Sequence, residues 1–286
     1  MFKPGLFNAL RRRLGGDRRS PSTVESLRDR GFALVPGAFR GDEVRSLREE
    51  LDAVFERFPP DLRDGRTSSE NAAMFRYEVF NRSALAQRVI CDRRILDVVE
   101  PLLGNDCHAI SSTAWRNPAD PSHASRGQEW HIDAGPFVPR PEGVSWPKKV
   151  PYPVFVIATH VLLDDCRLED GPTACVPRSH RSGRVPPREL RWHEELSLDG
   201  ERSEPLLASA GDLLLFVSDV WHRRLPPRRG GSGRYFLQTN YGRRDIAQRI
   251  RPTSEVNHVT DEARARARSG RERTVLGIHP GGLYDG

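Results

Sequence analysis

The hydrophobic pattern of the chain changes after its first third. Apolar residues first recur at intervals of three and four, most clearly from Asp42 to Phe58, just before Pro59 and Pro60. This spacing predicts an amphipathic helix that the two prolines end. Further helices are predicted from Ser22 to Arg30, from Ser83 to Ile90 and from Arg93 to Leu103, with Gly31 and Gly104 as the residues that end the first and the last.

From about Cys107 the pattern becomes one of short apolar runs between turns rich in glycine and proline. After an earlier strand at Phe32 to Val35, strands are predicted at Cys107 to Trp115, Trp130 to Ala134, Val154 to Leu163, Pro172 to Val176, Asp212 to Val217 and Arg234 to Tyr241. Many short strands with such turns are typical of a β-sandwich or barrel, here with helices packed outside it. A proline-rich loop at 137–153 has the length of a functional cover.

Composition and charge narrow the class of protein. Residues are 37% hydrophobic and 29% charged, as in an ordinary globular protein. No apolar run reaches the roughly 18 residues of a membrane span, and no signal-peptide core is present, so we expect a cytoplasmic protein without stable membrane insertion. The four cysteines have neither disulfide nor zinc-finger spacing. We expect them to be reduced and buried.

The net charge of +6 is concentrated at the start of the chain. Residues 1–20 contain six basic side chains and one acidic side chain, while residues 21–286 are close to balance. We therefore expect a basic, flexible tail at 1–20 and one catalytic domain at 21–286. No recognised nucleic-acid-binding motif is present, so we expect the partner to be a small-molecule substrate. We expect the protein to be a monomer or a homodimer. The arginine-rich run from Asp261 to Arg273 is predicted to be a solvated surface segment.

The residues with the clearest chemistry lie in the second predicted strand. Successive side chains of a strand point to opposite faces, so His131 and Asp133 are expected on the same side. A third ligand, for which His222 is the candidate, would complete a two-histidine, one-carboxylate iron site with open coordination positions. His108, His160 and His180 are expected to be packing or turn residues, and Asp212 to serve a turn.

Three further features follow that pair in a fixed order. The first is Asp170-Gly171-Pro172-Thr173, leading to Val176-Pro177-Arg178-Ser179-His180. The second is Gly211-Asp212, followed by an apolar run and then Trp221-His222. The third is Arg234-Tyr235, twelve residues after that histidine. This order resembles the phytanoyl-CoA dioxygenase family of iron- and 2-oxoglutarate-dependent oxygenases.

The resemblance implies a fold and a set of site residues. The fold would be mainly β with flanking helices around a double-stranded β-helix core of the jelly-roll or cupin type. His131, Asp133 and His222 match the ligands of Fe(II), and Arg234 matches the arginine that binds the distal carboxylate of 2-oxoglutarate. Gln128 matches a polar position near the metal. The sequence departs from the family pattern at Arg178, where glycine is usual, and at Arg224, where a small residue is usual.

The implied function is an oxygenase that uses Fe(II), 2-oxoglutarate and O2 to hydroxylate or otherwise oxidise a C–H bond. A sugar, polyketide or similar molecule of bacterial secondary metabolism, as in antibiotic biosynthesis, is the expected substrate. An acyl thioester or an amino acid is the alternative. A zinc hydrolase with the same ligands would have no need of Arg234 at its fixed distance. A non-catalytic binding module on this scaffold would have lost a ligand, yet all three are present.

Overall fold

The computed structural model describes residues 22–60, 73–118, 127–133, 135–144, 146–147, 149–248 and 259–280. Its α-helices are α1 Thr23–Arg30, α2 Gly41–Arg57, α3 Val79–Arg82, α4 Ala84–Ile90, α5 Arg93–Leu103, α6 Asp261–Arg266 and α7 Gly270–Val275. Its strands are β1 Phe32–Val35, β2 Phe75–Tyr77, β3 His108–Asn117, β4 Val156–Leu162, β5 Thr173–Cys175, β6 Ser197–Leu198, β7 Glu201–Arg202, β8 Glu204–Pro205, β9 Leu213–Val217, β10 His222–Arg224 and β11 Arg234–Gly242.

Six strands form a large antiparallel sheet in the order β1-β9-β4-β11-β3-β2. Side chains alternate between its two faces. On the outer face, the Tyr235 ring meets Phe55 of α2 edge-on, with centroids 6.0 Å apart. On the same face the Tyr241 hydroxyl donates to the carbonyl of Ile90, at the end of α4, over 2.6 Å. The helices therefore cover one face of this sheet.

The inner face of the large sheet lies against a small antiparallel sheet in the order β10-β5-β8. The ring of His222 on β10 lies 4.7 Å from the ring of Phe216 on β9. Arg234 of β11 donates from Nη1 to Oγ1 of Thr173 on β5 over 3.1 Å. Two facing antiparallel sheets with helices outside confirm the predicted jelly-roll, cupin-like core.

The predicted helices are confirmed, with ends that move by one residue or less. Ser22 caps α1 in a capping box with Glu25, and Gly31 ends the helix at φ +87°. Ser83 caps α4 by accepting from the amide of Ala86. Local cap chemistry and helical periodicity therefore agree with the packed structure.

The strand predicted from Trp130 to Ala134 is wrong. His131 forms a single bridge with His222, each amide donating to the other's carbonyl over 3.0 Å. Two residues later the Asp133 amide donates to the carbonyl of Ser218, in the turn before β10. The segment thus contacts first a strand and then a turn, so no ladder develops. Ala134 lies outside the described residues.

The expectation of a solvated segment at Asp261 to Arg273 holds for most of its residues, which are exposed, but the segment is also folded. The segment forms α6 and most of α7, and Ala263 of α6 is fully buried. The expected flexible tail at 1–20 lies outside the described residues. Those residues of the 137–153 loop that are described form neither helix nor strand. Within the described part of the chain, every helix is too short or too polar to cross a membrane.

Candidate metal centre

Three predicted ligands meet at the mouth of the space between the two sheets. His222 begins β10, and the bridge described above places His131 beside it. One ligand atom from each of His131, Asp133 and His222 can be chosen so that all lie within 4.8 Å of one another. His222 Nε2 lies 3.6 Å from Asp133 Oδ1. His222 is buried, whereas the other two are half-buried, so the cluster remains reachable from outside.

Backbone carbonyls set the tautomer of both histidines. Nδ1 of His131 lies 2.7 Å from the carbonyl oxygen of Glu129, and Nδ1 of His222 lies 2.9 Å from that of Val220. A carbonyl only accepts, so each Nδ1 carries the hydrogen and donates it. In the neutral ring each Nε2 is then left with a lone pair, as a metal-binding imidazole requires. The donor set and its protonation therefore fit a divalent transition metal.

The charge states of the three groups also suit a cation. Burial, and then the neighbouring His222, lower the pKa of His131 to about 4, so this ring is neutral at pH 7. Burial opposes ionisation of Asp133, but the charge of His222 and its hydrogen bond outweigh burial and lower the carboxyl pKa. Burial likewise disfavours a charged His222, yet Asp133 raises its pKa overall. Asp133 therefore favours a proton on His222, and a bound metal ion would take the place of that proton.

Arg234, the predicted carboxylate-binding residue, is deep in the same interior. It is only 8% exposed and belongs to the first position of β11. Asn117 Oδ1 accepts from its Nε over 3.2 Å and from its Nη2 over 2.8 Å. Burial lowers its pKa to about 10, so it stays charged at pH 7. No carboxylate of the described residues forms an ion pair with it.

His160 on β4 lies between Arg234 and the triad. Burial, and then the charge of Arg234, lower the pKa of His160 to about 3. Asp133 has a smaller, raising effect on this pKa, and His222 a smaller, lowering one. Its ring packs 4.3 Å from Phe236 and 5.3 Å from Phe216. This histidine is a buried packing residue, as expected. The Arg234 guanidinium lies 5.1 Å from the ring of Phe236, and Phe216 packs on both His160 and His222, so these contacts connect Arg234 to the candidate metal centre.

Gln128 and the two tryptophans beside the histidines support the walls of the site. Oε1 of the exposed Gln128 accepts from the Arg224 amide over 3.3 Å, and the Gln128 amide donates to the Arg224 carbonyl over 3.0 Å. These bonds tie the segment before His131 to β10, while a role beside the metal stays a prediction. Trp130 and Trp221 pack with Val176 in a small buried cluster.

The loop at 137–153 is fastened next to the site. The hydroxyl of Tyr152 donates to the carboxylate of Asp219, in the turn before β10. Burial raises the pKa of Asp219 to about 6. The Tyr152 ring also meets His180 edge-on, with centroids 5.2 Å apart. The predicted covering loop is therefore anchored within three residues of His222.

Sequence reasoning missed a row of polar side chains on the inner face of the large sheet. Gln238 Oε1 accepts from Trp115 Nε1 over 2.6 Å, and Gln238 Nε2 donates to Asn240 Oδ1 over 3.4 Å. Asn240 Nδ2 donates to Ser111 Oγ over 3.0 Å. All four are half-buried although they lie on central strands. The signal was the pair of amide side chains two positions apart, Gln238 and Asn240, which a strand places on one face.

The fold and the donor set define a cupin-like β protein with a candidate two-histidine, one-carboxylate metal centre. A family model described as phytanoyl-CoA dioxygenase matches residues 27–226. The chain belongs to the phytanoyl-CoA dioxygenase family.

Curated relatives and solved structures agree with that assignment. The chain is 24% identical over 165 residues to an ectoine dioxygenase of Halomonas elongata, and the match covers 57% of this chain and 46% of the relative. The chain thus spans about half the length of the curated relatives it matches. HygX from Streptomyces hygroscopicus, solved with nickel and 2-oxoglutarate, has a TM-score of 0.59 at 18% identity, covering 85% of this chain and 96% of HygX.

A second similar structure is the non-heme alpha ketoglutarate dependent epimerase SnoN from nogalamycin biosynthesis. Its TM-score is 0.57 at 18% identity, and the alignment covers 77% of this chain and 82% of SnoN. HygX has also been solved with hygromycin B bound. At these identities the structural likeness establishes the fold.

Proposed function

We propose that the protein is an Fe(II)- and 2-oxoglutarate-dependent oxygenase that oxidises a C–H bond of a small organic molecule. The observation that carries this proposal is the pairing of two sites that the ring contacts of Phe236, His160 and Phe216 connect between the two sheets. One is a His-His-Asp cluster whose Nε2 atoms are free to bind a metal. The other is the buried Arg234 guanidinium, which has no carboxylate partner among the described residues.

The site residues have different proposed roles, which follow from their chemistry. His131, Asp133 and His222 would hold the iron on one side and leave the opposite side open. Arg234 would bind the distal carboxylate of 2-oxoglutarate through its planar fork. Bound iron, 2-oxoglutarate and O2 would supply the oxidant for the C–H bond, with succinate and carbon dioxide as co-products. Phe216 and Phe236 pack on His160 and would give an apolar wall to the region between the candidate metal centre and Arg234, which would help to keep water out.

The polar row on the inner face supports a neutral, hydroxyl-bearing substrate such as a sugar or polyketide. Ser111, Gln238 and Asn240 present uncharged donors and acceptors, which suit hydroxyl and carbonyl groups. An acyl chain would instead require an apolar lining. SnoN belongs to nogalamycin biosynthesis, and HygX has been solved with hygromycin B bound. These properties of the two similar proteins support the same class of substrate for this chain.

Anaerobic titration with ferrous iron tests the metal ligands. We expect His131→Ala and His222→Ala each to weaken iron binding by more than the roughly 10–100-fold that loss of an outer hydrogen-bond partner costs. His193→Ala is the matched control, because this histidine is exposed and only its main-chain carbonyl, which accepts from Trp130 and Arg223, contacts residues beside the ligands. Circular dichroism should show all three variants folded.

Succinate release during aerobic incubation with 2-oxoglutarate separates the proposed reaction from zinc-dependent hydrolysis. The wild type and the His193→Ala control should release succinate only with iron present. Release that persists in either ligand variant would overturn the ligand assignment. Turnover that depends on zinc and ignores 2-oxoglutarate would favour the hydrolase.

A further inference from the structure

A second arginine points into the space between the two sheets from β10. Alternate residues of a strand share a face, so Arg224 projects on the same side as His222. Arg224 is also directly opposite Thr173 in the antiparallel pair β10–β5, and opposite residues share a face. Because Thr173 Oγ1 accepts from Arg234 Nη1, the side chains of Arg224 and Arg234 flank the same hydroxyl.

Two of the three nitrogens of the buried Arg224 guanidinium have no hydrogen-bond partner. The residue is 7% exposed, and the two nitrogens are Nε and Nη2. In the described part of the chain, no carboxylate forms an ion pair with Arg224 or with Arg234. Burying a charge is costly unless an opposite charge and hydrogen bonds compensate it. Two such guanidiniums side by side need an anion.

The fold does not depend on the side chain of Arg224. Strand β10 is held at this position through main-chain atoms, because the amide and carbonyl of Arg224 bond to Gln128. The Leu225 amide continues the contact by donating to the carbonyl of Pro172 over 2.9 Å. An apolar side chain at position 224 would keep all of these bonds and would remove the uncompensated charge.

We propose that Arg224 is a second anion-binding group and that it clamps the distal carboxylate of the 2-oxo acid together with Arg234. This inference rests on the proposed function for the identity of the acid. A two-arginine clamp selects 2-oxo dicarboxylic acids and rejects 2-oxo monocarboxylic acids, because the latter leave both guanidiniums unpaired. Arg224 is thereby a specificity-determining residue for the co-substrate.

Calorimetric titration of the nickel-loaded protein with 2-oxoglutarate tests the clamp without turnover. We expect Arg224→Met to weaken binding at least tenfold. Arg224→Lys should lose less than the methionine variant, since it keeps a positive charge. Arg229→Met is the control of equal charge change, because Arg229 is exposed, and should bind as the wild type does. Titration with 2-oxobutyrate, which lacks the distal carboxylate, should give weak binding in all four proteins.

Thermal unfolding without ligand supplies an independent readout. Removal of an uncompensated buried charge should leave the midpoint of Arg224→Met equal to or above that of the wild type. Unchanged 2-oxoglutarate affinity in Arg224→Met, or equal losses in the lysine and methionine variants, would overturn the clamp while leaving the proposed function intact. A nickel-loaded wild type that binds no 2-oxoglutarate would instead reject the proposed function itself.

Discussion

At the scale of single residues, main-chain carbonyls prepare the candidate ligands. The carbonyls of Glu129 and Val220, each two residues before its histidine, hold the two imidazoles in the same tautomer. This arrangement depends on the local path of the backbone and not on a continuous strand. It explains why His131 and Asp133 converge although the strand alternation from which we predicted their convergence is absent.

Arg234 allows a prediction about the co-substrate. Arg234→Met keeps the aliphatic stem but removes charge-assisted hydrogen bonds, which contribute about 1.5–3 kcal/mol each. The apparent affinity for 2-oxoglutarate should therefore fall by about tenfold or more in calorimetric titration, while metal binding changes little. Arg234→Lys should recover only part of the loss, because an ammonium group lacks the planar fork. An unchanged affinity in Arg234→Met would place the carboxylate contact elsewhere.

At the scale of elements, an arginine joins the first turns of α2 and α5. Arg94 donates from Nη1 and Nη2 to the two carboxylate oxygens of Glu43, each over 2.9 Å. Nη2 of Arg94 also donates to Asp92, the residue that caps α5, over 2.7 Å. The hydrogen bond from Arg94, and then that from the Arg40 amide, lower the pKa of Glu43 to about 2. The ion pair therefore couples helix packing to pH.

Glu43→Gln should lower the free energy of unfolding by about 1 kcal/mol at pH 7, the upper end for an exposed pair. Because the folded-state pKa of Glu43 is depressed, its contribution is complete above the unfolded-state pKa near 4.5 and disappears as the pH falls towards 2. Urea denaturation at several pH values should show the difference from wild type shrinking over that interval. Glu49→Gln, at an exposed position of the same helix, should show no such trend.

The elements differ in how far the sequence predicts them. α1 has a capping box at Ser22, and α2 has a regular stripe of apolar residues, so local sequence signals suffice to predict both helices. β10 reads His-Arg-Arg and has no apolar residue, because its inward side chains face a polar cavity. Its pairing with β5 is specified by distant residues, which periodicity does not report. The least predictable strand is thus the one that presents His222 and Arg224.

At the scale of the whole molecule, the end of the described chain closes over the helical layer. Arg266 of α6 donates from Nη2 to the Phe80 carbonyl over 2.7 Å, and Gln87 Nε2 donates to the Ala263 carbonyl over 3.0 Å. The arginine-rich run was predicted to be a solvated segment, but two of its arginines, Arg266 and Arg271, bind backbone and side-chain oxygens of α3, α4 and α5. Sequence spacing could not reveal these partners because they lie about 180 residues away in the chain.

Arg271 of α7 makes the corresponding contact with α5 and with Cys107, the residue before β3. Its Nε donates to Glu100 over 2.8 Å and its Nη1 to the Cys107 carbonyl over 2.9 Å, and the side chain is 23% exposed. Arg271→Ala should therefore lower the free energy of unfolding by about 1.5–3 kcal/mol, the usual range for a hydrogen bond to a charged group. Urea denaturation measures this loss.

Arg273→Ala is the matched control for that measurement, because it changes the net charge equally and lies on the same helix at an exposed position. It should alter the free energy of unfolding by no more than about 0.5 kcal/mol. Iron binding should be the same in both variants, since α7 packs on the helical side of the large sheet and the candidate metal centre lies on the other. Equal destabilisation by the two substitutions would mean that α7 contributes to stability through general charge and not through its contacts with Glu100 and Cys107.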